Sequence, residues 1–70
     1  MKNLSDNRLI EDCATIADKF AADERVQAKS FGEMAKTSKD VQYRIAEATH
    51  ILTSILASRI ADDIRKLKNE

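Results

Sequence analysis

Proline is absent from these 70 residues, glycine occurs once, at Gly32, and Cys13 is the only cysteine. Without the usual turn formers, a sheet held together by tight turns has little to build with. A lone cysteine excludes an internal disulfide, and the expected setting is reducing. Neither sign of charge dominates, because Lys plus Arg and Asp plus Glu number 12 each, so no global field recruits nucleic acid or anionic lipid. Apolar runs stop at two or three residues, against the roughly 20 that a membrane span needs. The opening MKNLSDNRL lacks the apolar stretch of a signal peptide. A soluble, cytoplasmic chain is therefore expected, with no membrane contact, no cofactor and no small-molecule substrate.

What remains is rich in Ala, Glu, Lys, Leu, Ile and Asp, a composition that favours helix. The first periodic stripe is Leu9, Cys13, Ile16, Phe20, Gln27, Phe31 and Met34, whose steps of three and four share one helical face. Asn3 or Ser5 is placed to cap its start, and Asp6 lies in the favourable first turn. K-T-S-K-D, residues 36 to 40, reads as a stop, with Thr37 or Ser38 available to cap the next helix and Asp40 at its positive end. The second stripe runs Val41, Ile45, Ala48, Leu52, Leu56, Ile60 and Leu67, widened by Ile51, Ile55 and Ile64. Asp40 with Arg44 and Asp62 with Lys66 are spaced for i, i+4 ion pairs.

The expected architecture is all-α: one domain over 1–70, with a helix at about 6–36, a turn at about 37–40 and a helix at about 41–68. So short a turn returns the second helix antiparallel to the first. A turn near residue 38 pairs Leu9 with Leu67, Ile16 with Ile60, Phe20 with Leu56 and Phe31 with Ile45. It also sets Glu11, Asp12 and Asp18 across from Arg59, Arg65, Lys66 and Lys68.

The match fails in the middle. D-E-R-V-Q-A-K, residues 23 to 29, falls opposite Ala48, Thr49, Ile51 and Leu52, so the greasiest part of the second helix meets the most polar part of the first. Ile51, Leu52, Ile55 and Leu56 span about 140 degrees of the helix, wider than one neighbour fills. A second layer is needed, and a chain this small, which buries only about 60% of its unfolded surface, needs it the more. Two copies pairing into a four-helix bundle supply it, as does a different protein. A break near Ala21 to Glu24 that folds the chain into a compact three-helix bundle is the alternative.

The chemically tempting residues have bland readings. His50 has no second His, Cys or Glu at i+3 or i+4, only Glu47 at i−3, and reads as a surface histidine facing away from the contact. Cys13 reads as a buried, inert thiol within the first stripe. The carboxylate pairs Glu11-Asp12, Asp23-Glu24 and Asp62-Asp63 point about 100 degrees apart, so no catalytic dyad, metal site or enzyme is expected. Gly32 belongs to no phosphate loop and fits a helix end, a kink or a close packing contact. R-K-L-K, residues 65 to 68, reads as the basic end of a helix. Arg59 and Asp63, one turn apart beside the second stripe, are candidates for a bridge that fixes register or partner choice.

L-S-D-N-R-L-I-E, residues 4 to 11, is similar to the opening of the small sporulation checkpoint inhibitors of sensor histidine kinases. A-E-A-T-H-I-L-T-S-I-L, residues 46 to 56, resembles the second helix of the hairpin co-chaperones that hold needle subunits in type III secretion. Both resemblances imply two-helix proteins that dock on another protein, and neither transfers site residues. The expected function is a non-enzymatic protein-protein interaction module, a regulator, adaptor or assembly chaperone. Its interface is placed on Ile51, Leu52, Ile55, Leu56, Arg59 and Asp63. The alternative is a small dimeric nucleic-acid-binding regulator, which the long apolar second helix disfavours.

Overall fold

The computed structural model describes residues 4–68. Helix α1 spans Leu4–Thr37 and helix α2 spans Val41–Arg65, and the two lie side by side as an all-α hairpin. α1 runs unbroken through Ala21 to Glu24, so the described residues form two helices and not three.

Polar side chains shape the turn, and neither a glycine nor any positive φ is involved. The Ser38 amide and the Thr37 hydroxyl both donate to the Met34 carbonyl, at 3.1 and 3.3 Å, which satisfies an acceptor at the end of α1. Ser38 Oγ then accepts from the Asp40 amide at 3.1 Å. Asp40 is itself the N-cap of α2: its backbone is extended, and its carboxylate accepts from the Gln42 amide at 2.9 Å. The cap thus falls on Asp40, in place of the Thr37 or Ser38 that the sequence offered.

The seam between the helices differs from the expected one. Ala14, Ala21, Ala28 and Ala35, seven residues apart, are buried along α1, and Ser54, Ala57 and Ala61 are buried along α2. These are the buried residues among those described, and no larger side chain joins them. The large stripe of α1 had been expected to face α2; Leu9, Ile16, Phe20 and Met34 are instead exposed. Methyl groups permit a close approach of two backbones, and the bulkier side chains are displaced to one side of the contact. Ser54 keeps its hydroxyl satisfied by donating to the Ile51 carbonyl at 2.7 Å.

The mismatch around residues 23 to 29 resolves by rotation. Ala21 and Ala28 take the seam, Glu24 reaches His50, and Arg25 Nη2 donates to Ser58 Oγ at 2.8 Å, while Asp23, Val26 and Gln27 turn to water. Gly32 sits inside α1 at a close packing contact: a Cβ there would lie 2.5 Å from Glu47 Oε2. The result is a thin rod, 56 × 13 × 12 Å, with a radius of gyration of 16.2 Å. A compact chain of this length would have about 11 Å.

Candidate functional site: aliphatic surfaces around a thin seam

Because the seam consists of small residues, its position decides which side chains stand outside it. On one side Ile10, Ile16 and Phe20 of α1 face Leu56, Ile60 and Ile64 of α2 across a shallow groove, made of two adjoining concavities. The groove runs along the open end of the hairpin, and among the described residues no charged one lines it. Cys13 lines both concavities and is exposed, which corrects its reading as a buried thiol: the stripe containing it points along the groove and not into the seam.

A polar cluster closes the groove towards the turn. Glu24 and His50 Nδ1 form a hydrogen bond, and their side chains are 16% and 28% accessible. The His50 ring lies nearly parallel to Phe31, 5.4 Å between centroids and 3° between planes, and Phe31 in turn packs on Tyr43 at 6.4 Å. His50 therefore points back onto α1, where the sequence had suggested a surface histidine with Glu47 as companion. The signal was the register of the two helices, which brings residue 24 level with residue 50. The pair resembles the orienting half of a catalytic triad, but no hydroxyl or thiol bonds to the ring among the described residues.

The opposite side of the seam is ionic. Arg65 Nη2 donates to Glu11 Oε2 and Asp18 Oδ2, both at 2.7 Å, its Nε donates to Glu11 Oε1 at 3.1 Å, and Lys68 adds a further bond to Glu11. The hydrogen bond from Arg65, then that from Lys68, holds the Glu11 carboxyl at about 2, below its ordinary 4.5. Arg65 is held still more firmly in its charged form by Glu11 and then Asp18.

The six residues singled out by sequence lie around the outside of α2. Leu52, Leu56, Ile55 and Ile51 are 67, 59, 50 and 43% exposed. They do not form one face. Leu56 lines the groove, whereas Ile51 shares its helical row with Ser58 and Arg65 on the ionic side, and Leu52 stands on the outer back of α2. Arg59 and Asp63 border a polar hollow beside Leu56 and Ile60. Asp63 pairs with Lys66 at 3.3 Å and not with Arg59, and Asp62 makes no side-chain bridge to Lys66. The i, i+3 spacing brings the Lys66 ammonium to Asp63 and leaves the Arg59 head in solvent.

Among the described residues no group of three or more His, Cys, Asp or Glu side chains could hold a metal ion, and no helix is long and apolar enough to cross a membrane. No protein-family model matches the chain, and comparisons with curated proteins and with solved structures return no match.

Proposed function

We propose that this chain is a single-domain, non-enzymatic interaction module, a regulator, adaptor or assembly chaperone, that docks on protein through the aliphatic surfaces of α2 and the groove beside it. One observation carries this reading: among the described residues everything buried is alanine or serine, while Phe20, Leu52, Ile55, Leu56 and Ile60 stand in solvent. Covering one such Ile or Leu is worth roughly 1.5 to 3 kcal/mol, and contiguous apolar surface of this kind marks interaction sites. Arg59, Asp63 and Lys66 supply a charged rim at the edge of Leu56. A covered hairpin would complete a four-helix bundle.

Electrostatics favours protein over nucleic acid as the partner. Arg65 and Lys68 are engaged by Glu11, Lys36 by Glu33 and Lys66 by Asp63, and the 12 basic residues are matched by 12 acidic ones, so no net positive field draws a phosphate backbone. Affinity recovery from the native cell tests the reading with wild type, Leu52→Asp and Val26→Asp in parallel. A protein retained by wild type and Val26→Asp but lost with Leu52→Asp is the expected outcome. Equal recovery with all three overturns it, and duplex binding that falls steeply with salt would replace it with a nucleic-acid function.

A further inference from the structure

We infer that the groove at the open end of the hairpin is covered by a second copy of this chain, with the two copies in register near Ile16 and Ile60. This rests on the reading that the hairpin docks through its aliphatic surfaces, and it names the occupant of one of them.

Area is the first argument. The chain exposes 5499 Å², whereas a compact monomer of its 7.9 kDa exposes about 4,400 Å². The excess, roughly 1,100 Å², exceeds the ~800 Å² that each partner gives to an interface of standard size. That excess is spread over the whole 56 Å rod, and a second hairpin on the groove covers the part of it that lies at the open end.

Charge is the second. In a two-fold contact every residue meets its own kind of surface, so any net charge on the face repels itself. Among the described residues no charged side chain lines this groove, and the whole chain has a formal net charge of +0, so no net charge on the face repels a second copy. The rim beside Leu56 and Ile60 carries Arg59 and Lys66 together with Asp62 and Asp63, a balanced set that a second copy can meet with its own opposite charges.

The register follows from where the groove ends. Its apolar lining extends from Leu9 to Phe20 on α1 and from Leu56 to Leu67 on α2, a length of about 17 Å. Glu24 and His50 lie just beyond. Full-length overlap of antiparallel hairpins would press that polar pair onto the aliphatic part of the other copy, removing it from water without new partners. Overlap of the two open halves avoids this and buries apolar groups on apolar groups. Ile51 and Ile55, on the other flank, stay outside the contact.

Sedimentation equilibrium of the full chain across micromolar concentrations should give twice the 7.9 kDa of one chain. Ile16→Asp and Ile60→Asp should each reduce it to one chain, and Ile51→Asp should leave it doubled. Because the substituted chains could lose their helices as well, alkylation of Cys13 in the wild type is the second measurement. Its thiol is exposed in one hairpin and covered in two, so the reaction should slow as chain concentration rises. A single-chain mass throughout, a Cys13 rate independent of concentration, or a dimer broken by Ile51→Asp but not by Ile60→Asp overturns the proposal. Loss of Leu52-dependent partner recovery with the dimer intact would count against docking on a foreign protein alone, so the two failures are distinguishable.

Discussion

Glu11 is the residue on which most of the inter-helix ionic contact converges, accepting from both Arg65 and Lys68. Its carboxyl is depressed from 4.5 to about 2, so its contribution to stability is fully present above about 4.5 and is lost as pH falls through about 2. Thermal melts of wild type and Glu11→Gln should therefore differ by a constant amount above pH 4.5 and converge as the pH approaches 2. An unchanging difference across that range would show that the bonds to Arg65 and Lys68 do not act through the charge of Glu11. The opposition of acids on one arm to bases on the other was legible in the sequence, since a short turn fixes the register. That Arg65 would take both Glu11 and Asp18, while Arg59 stayed free of Asp63, was not, because it depends on the rotation of each helix about its own axis.

That rotation is set at the scale of the element, by alanine. A stripe drawn through the largest apolar residues gives Leu9, Ile16 and Phe20 as the inner face of α1, yet the inner face is Ala14, Ala21, Ala28 and Ala35. Alanine is an unhelpful marker in a helical pattern because it suits every helical position equally well. Its repeat at intervals of seven was nevertheless present in the chain, and Ser54, Ala57 and Ala61 answer it on α2. Ala21→Leu should overfill this seam and destabilise the fold by about 1–3 kcal/mol. Ala22→Leu, on the exposed side, should stay within about 0.5 kcal/mol of wild type. Urea unfolding at one fixed chain concentration compares the two, and equal midpoints would mean that the seam is not closely packed.

At the scale of the whole molecule, the hairpin itself was readable from the composition, the turn chemistry at 36 to 40 and the two stripes. The residues expected to form an interface cluster in sequence, but the structure spreads them over three sides of α2, because a run of aliphatics at adjacent positions necessarily wraps a helix. If a second copy closes the groove, the melting temperature should rise with chain concentration, as it does for any fold stabilised by association. A melt that is the same at low and high concentration would point to a hairpin that stands alone.

The thinness of the alanine seam bears finally on turnover. A rod whose fully buried contacts are small side chains relies on part-exposed ion pairs and ring contacts to resist separation of its arms, and where opening is fast relative to cleavage the rate of proteolysis follows the population of opened forms. Were a second layer to cover the hairpin, covered chains would spend less time open than uncovered ones. If the proposed covering holds, limited proteolysis of the hairpin should slow as its partner is added, and the lifetime of a chain would follow the supply of what covers it.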